Sequence, residues 1–142
     1  MDVTGPVIVD TNILVSALLK EDNLFLRLLL ADDHQFFICE LMVVELFKHK
    51  EKIIKASHLS EDEILKYYYS IVRRLNIIKE DLIEYPNWKK AYDLCKDIDE
   101  ADTPIVALAL ELDGLIFTGD KKLRKHLISK GFTNFFDYSP DI

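Results

Sequence analysis

The sequence predicts an α/β fold with a mostly parallel sheet. Short apolar, β-branched runs alternate along the chain with longer segments of helical period, the pattern of strands joined by crossover helices. Gly and Pro number only 4 each in 142 residues, below the roughly 7% and 5% of average chains, which suits helices and short connections rather than a turn-rich β-sandwich. Hydrophobic residues make up 49% and charged residues 30%, a balance that builds a core and excludes a disordered chain. The length is that of one ordinary domain, taken as residues 1–142 with a helical segment at about 57–98 inserted between core strands.

The elements follow in order. Val7-Ile8-Val9 is a short apolar run just after Gly5-Pro6. Its brevity and β-branching predict a buried strand, and Asp10 ends it. Thr11-Asn12 opens an apolar-periodic helix to about residue 19, and Asn23 starts a second to about residue 31. Asp32-Asp33-His34 reads as a loop, and Phe36-Phe37-Ile38-Cys39 as the second strand. Residues 40–56 read as one helix, apolar first and then basic. Ser60-Glu61-Asp62-Glu63 has the capping-box pattern with acids in the first turn, and its helix runs to about residue 75. Residues 76–79 are a weak strand or turn, and 87–97 a further helix. Thr103-Pro104 reads as N-cap then first helical residue of an almost wholly apolar helix to Leu112, ended by Asp113-Gly114. Leu115-Ile116-Phe117-Thr118 is a third strand. Residues 121–130 form a basic helix closed by Gly131, and 132–138 a final strand.

Composition narrows the setting. Two cysteines, Cys39 and Cys95, form neither a disulfide framework nor a metal-site spacing, so a reducing, cytoplasmic compartment is expected. The N-terminus lacks the basic and apolar stretches of a secretory signal. No apolar run approaches the ~18 residues of a membrane helix, and no membrane partner is expected. The net charge of −7 argues against a chain that coats nucleic acid through overall charge. Where the acids sit therefore decides the reading.

In open α/β sheets, ligands bind outside the carboxyl ends of the strands. Asp10 and Asp120 lie at or just past strand ends, and Asp102 immediately precedes the helix that leads into the Leu115 strand. Glu45 lies within Leu41-Met42-Val43-Val44-Glu45-Leu46-Phe47, where an ionised carboxylate is costly unless paired or metal-bound. Four acids from four segments can converge on one edge. Their mutual repulsion would be relieved by a divalent cation, and an oxygen-only set suits Mg²⁺ or Mn²⁺ rather than Zn²⁺. Such a cation can hold phosphate oxygens, lower the pKa of a bound water and stabilise the leaving oxygen in phosphodiester cleavage. Each acid also has a plainer reading. Asp102 could complement a helix N-terminus, Asp120 could cap the helix after it, and Glu45 could face solvent, which its apolar flanks disfavour. Asp10 is the hardest to explain structurally, and the conjunction of all four is stronger than any one.

Val9-Asp10-Thr11-Asn12-Ile13-Leu14, Glu45 after the second strand, Asp102-Thr103-Pro104-Ile105-Val106-Ala107-Leu108-Ala109 and Thr118-Gly119-Asp120-Lys121-Lys122-Leu123 closely resemble the blocks of PIN-domain ribonucleases. The nearest flavour is the toxin type of prokaryotic toxin–antitoxin pairs. The resemblance implies a Rossmann-like three-layer α/β/α sandwich with a parallel five-stranded sheet, and metal-dependent cleavage of RNA leaving 5′-phosphate and 3′-hydroxyl ends. By position it makes Asp10, Glu45, Asp102 and Asp120 the catalytic, metal-binding acids. Asp99 is added as a ligand through water, with Asn12 orienting Asp10 and Thr118 lining the site beside Asp120. It further implies an RNA substrate, a cognate antitoxin and, for small toxin-like members, a homodimer.

The charge is uneven. Lys121, Lys122, Arg124, Lys125 and Lys130 crowd residues 120–130, and Lys48, Lys50, Lys52 and Lys55 crowd residues 46–57. Lys48, Lys121, Lys122 and Arg124 are the candidates for gripping RNA phosphates, against the plainer reading of solvated helix faces. Tyr67-Tyr68-Tyr69 point in different directions on a helix, which favours packing or a dimer contact over base stacking. Trp88 and Phe135-Phe136 read as core, and all four histidines as surface residues. Two rivals remain beside the ribonuclease: an inactive PIN-fold RNA-binding or scaffold module, and a phosphatase or receiver of similar architecture. The second is disfavoured because Asp10 has no second Asp two residues on, and there is no Gly-rich phosphate loop.

Overall fold

The computed structural model describes residues 5–20, 23–31 and 33–138. The polar N-terminal residues 1–4 and Asp32 of the expected loop lie outside them. Strands β1 (Val7–Val9), β2 (Phe36–Cys39), β3 (Leu75–Ile78) and β4 (Leu115–Phe117) form one parallel sheet in the order β3-β2-β1-β4. Val7, Ile8 and Val9 are at most 1% exposed. A central parallel strand is covered on both faces, which is why this run shows no polar alternation. Burying each such side chain is worth about 1.5–3 kcal/mol.

Eight helices are described: α1 (Thr11–Ala17), α2 (Leu24–Leu30), α3 (Glu40–Lys48), α4 (Lys50–Ala56), α5 (Glu61–Arg74), α6 (Tyr85–Cys95), α7 (Thr103–Leu112) and α8 (Lys121–Ser129). The chain steps from β1 to β2 to β3 in one direction, then returns to β4 on the far side of β1. Right-handed crossovers therefore place α1 to α5 on one face and α6 with α7 on the other. α7 packs on β1, β2 and β4 and is backed by α6. No helix among the described residues is long and apolar enough to cross a membrane.

Most expected elements lie where the sequence puts them, and the capping box forms: Ser60 Oγ accepts from the Glu63 N–H at 3.2 Å, while Glu63 Oε1 accepts from the Ser60 N–H at 2.9 Å. The weak strand expected at 76–79 is β3. It falls within the stretch 57–98, so that stretch contributes to the sheet as well as supplying helices.

Three expectations need correction. The fifth strand, expected at 132–138, is reduced to a single parallel bridge between Ile116 and Phe135. The pairing consists of the Ile116 N–H to the Asn134 carbonyl and the Phe136 N–H to the Ile116 carbonyl, both at 2.9 Å; at the next step the Thr118 carbonyl accepts from the Tyr138 hydroxyl instead of extending the ladder. The helix expected over 40–56 breaks at His49, whose N–H tightens to Leu46 O at 3.1 Å before α4 begins. Finally, Thr103 is the first residue of α7, and the N-cap position belongs to Asp102. Gly114 after α7 is required by a close approach. A Cβ there would lie 2.7 Å from Pro6 O and 2.5 Å from the Ile8 side chain, so the turn into β4 can press against β1 only without a side chain.

Candidate active site

β1 leads onward to β2 on one side, while β4 lies on its other side. The sheet's connections therefore diverge between β1 and β4, and a crevice opens there at the carboxyl ends of the strands. Asp10 follows β1 and Asp120 follows β4 into that crevice. Asp102, at the N-terminus of α7, comes in on the same edge.

One hydroxyl links the first two. Thr118 Oγ1 donates to Asp10 Oδ2 at 2.6 Å and accepts from the Asp120 N–H at 3.1 Å. Asn12 Oδ1 accepts from the Gly119 N–H at 3.3 Å. The Asn12 side chain thus ties α1 to the loop after β4, which carries Asp120. Asp10 is only 7% exposed. Burial raises its pKa, as does the Asp120 charge, while the Thr118 hydroxyl and the Asn12 and Thr11 amides pull it down. Neither amide makes a capping hydrogen bond.

Asp102 is the most perturbed acid. Its carboxyl is pushed up to about 7, first by burial and then by the charges of Asp10, Asp99 and Asp120. It occupies the N-cap position of α7 without a side-chain capping hydrogen bond, so whatever complement it gives that helix N-terminus is by charge alone. For Asp120 the plainer reading holds. Its Oδ1 caps α8, accepting from the Lys122 and Leu123 N–H groups at 3.1 and 3.0 Å. Asp99 is exposed, accepts from the Ala101 N–H at 3.0 Å and reaches Asp102 through its charge.

Glu45 lies elsewhere than its apolar flanks suggest. Met42 and Leu46 face the core, whereas Leu41, Val44 and Phe47 are 47–60% exposed. Glu45 shares the open side, its carboxylate 3.6 Å from His49 Nε2. Its charge is not among those acting on Asp10 or Asp102. It nevertheless stands one turn from Met42, whose Sδ accepts from Thr11 Oγ1 at 3.3 Å, so α3 borders the crevice without delivering the acid into it.

The basic candidates divide as well. Lys48, Lys121 and Lys122 are exposed, while the Arg124 guanidinium lies 4.8 Å from the centre of the Phe135 ring. Lys130 pairs with Asp97 at 3.0 Å. Two histidines correct the surface reading. His34 lies edge-on to Phe136 with ring centres 4.9 Å apart, and His126 Nε2 is 3.1 Å from the Leu94 carbonyl. His49 lies at the surface, where it pairs with Glu45. Tyr67 and Tyr68 pack against the core, and Tyr69 is exposed. Tyr138 borders the site and escaped sequence reasoning: its hydroxyl donates to the Thr118 carbonyl at 3.3 Å. Placed in an expected edge strand, it carried no signal of that contact.

The donor chemistry of Asp10, Asp102 and Asp120 fits a hard dication, since only carboxylate oxygens are offered and their charges already crowd one another. Their spacing is open: among the described residues, no three acidic, His or Cys side chains stand close enough to hold one ion as they lie. The cysteines offer no alternative, because burial pushes both thiols up to about 12 and keeps them protonated. Residues 8–133 match the sequence model of the PIN domain. No curated protein matches the chain.

Proposed function

This chain belongs to the PIN-domain family, whose members are typically nucleases, and from that premise we propose that it is an Mg²⁺- or Mn²⁺-dependent endoribonuclease acting as the toxin of a toxin–antitoxin pair. The observation that carries the nuclease reading is the crowding of Asp102 by Asp10, Asp99 and Asp120 at the β1–β4 crevice. A carboxyl pushed up to about 7 first by burial and then by three neighbouring acids marks a place that positive charge would relieve.

Asp10, Asp102 and Asp120 would hold the cation, with Asp99 acting at longer range and Glu45 able to join only by leaving His49. Bound there, the cation would supply Lewis-acid charge to the phosphate oxygens and lower the pKa of attacking water. The chain's own residues do the rest. Thr118 fixes Asp10 Oδ2 and the Asp120 backbone with a single hydroxyl. Asn12 fixes the Gly119 amide, so the loop that carries Asp120 cannot drift from α1. Lys48, Lys121, Lys122 and Arg124 would meet RNA phosphates on the banks, giving a salt-dependent grip.

Cleavage of a short single-stranded RNA by the purified protein, dependent on Mg²⁺ or Mn²⁺ and abolished by EDTA, is the direct test. The toxin role predicts growth arrest on expression in a bacterium, relieved by Asp10→Asn. A second reading, an inactive RNA-binding member of the fold, has the open spacing of the acids in its favour. RNA binding with no metal-stimulated cleavage would establish it instead.

A further inference from the structure

A cleft of about 300 Å³ leads away from Asp120 between α8 and the C-terminal segment, lined by Thr118, by the acids Asp120 and Asp137, by the cations Lys121 and Arg124, and by Tyr138. Its wall hangs on β4. The Tyr138 hydroxyl bonds to the Thr118 carbonyl, and its ring packs on Phe117 with centres 5.0 Å apart and on Phe25 at 5.6 Å. Phe135 is bridged to Ile116 and set edge-on to Phe132, with ring centres 5.6 Å apart. The Arg124 N–H bonds to the Asp120 carbonyl at 3.1 Å. Arg124 therefore stands one turn along α8 from Asp120, about 5.4 Å on. Unlike the exposed lysines around it, Arg124 is half-buried, with its guanidinium over the Phe135 ring.

We propose that this cleft is a subsite for the phosphate next to the one cleaved, with Arg124 as its ligand and Phe135 as the ring that keeps Arg124 in place. The inference rests on the reading of the chain as a ribonuclease and adds the path of the strand beyond the acids. A guanidinium already held over an aromatic ring loses little further freedom on binding, and its fork can meet a phosphate's paired oxygens. A lysine at the same place would offer only a point charge. The cleft opens directly from Asp120, so a strand whose reacting phosphate lies by the acids passes Arg124 with a flanking one.

The test is binding of a fluorescein-labelled single-stranded RNA, followed by anisotropy across a salt series, in the Asp10→Asn background that leaves the strand uncut. Each phosphate contact to a single strand contributes about −0.7 to the log–log salt slope. Arg124→Ala should weaken binding about tenfold and make the slope shallower by about 0.7. Phe135→Leu keeps the charge and the apolar bulk, so it should weaken binding about threefold with the slope retained. Lys125→Ala, on the same helix but outside the cleft, should change neither. Thermal melts of each variant show that it folds. An unchanged slope in folded Arg124→Ala, or an equal loss in Lys125→Ala, would overturn the subsite while leaving the nuclease reading intact. Failure of the wild-type protein to cleave RNA with either metal would overturn that reading separately.

Discussion

Asp10 and Glu45 occupy similar sequence settings, each beside a run of apolar residues, yet the fold treats them oppositely. Asp10 ends a strand covered on both faces and is nearly buried, its charge held by a hydroxyl and crowded by another acid. Glu45 sits on the open side of α3, next to exposed Leu41, Val44 and Phe47, and pairs with His49. In a short central strand every position is inside, so an apolar run is a burial signal by itself. On a helix only the residues at one face are inside, and an apolar run without the right period says little. In α3 the period was legible in retrospect, with Met42 and Leu46 four apart on the core side. The acid three residues after Met42 and one before Leu46 falls off that stripe.

The largest effect expected is on Asp10. In Asp10→Asn the side chain keeps its shape and can still accept from Thr118 Oγ1, but it loses the charge that would face a cation. RNA cleavage should fall at least about a hundredfold, the scale seen when one preorganised electrostatic group is removed from a site. A folded variant that retained activity would remove the strand-end acid from the chemistry and collapse the contrast with Glu45.

Asp102 sharpens the same contrast through stability. Its pKa is raised from 3.8 to about 7 in the folded protein. Between those values the folded chain holds a proton that the unfolded chain has released. Its contribution to stability is therefore fully present below about pH 4 and is lost as pH rises through about 7. Asp102→Asn should accordingly raise the melting temperature at pH 8, by about 5 °C, and leave it nearly unchanged at pH 4. Millimolar Mg²⁺ or Mn²⁺ should stabilise the wild-type protein at pH 8 and have little effect on the variant. A melting temperature of Asp102→Asn that tracked the wild type at every pH would mean that the acids do not crowd one another in solution.

Much of this was legible in the sequence because it depended on local rules. The strand at Val7–Val9, the Ser60 cap and the glycine closing α8 each follow from a few adjacent residues. The convergence of Asp10, Asp102 and Asp120 was legible because strand-to-helix junctions of one sheet share an edge. What failed depended on contacts distant in sequence. Thr118 reaching Asp10, Asn12 reaching Gly119 and Tyr138 reaching back to Thr118 span 108, 107 and 20 residues. Nothing near Phe135 announces that its pairing with β4 stops after the single bridge to Ile116. The His49 break in the long helix is likewise a matter of one backbone angle, invisible to a periodicity that continues on both sides.

The smallest effect separates the two regions most finely. Glu45→Gln removes a charge that, as the chain is folded, meets only His49 across a largely exposed gap of 3.6 Å. An exposed pair of this kind is worth about 0–1 kcal/mol, so stability should hardly move. Cleavage should fall about threefold or less, since the lost charge lies beside the crevice and contributes only through its field. His49→Gln frees Glu45 while leaving α3 unchanged in length and polarity. If Glu45 belongs to the rim, both variants behave alike. If a substrate-bound cation draws Glu45 inward, Glu45→Gln should approach the loss seen for Asp10→Asn, and His49→Gln should instead tighten metal binding, because the competing partner is gone. Measuring cleavage and Mn²⁺ affinity on the two variants side by side therefore decides whether the border between the strand-end acids and α3 persists when the site is filled.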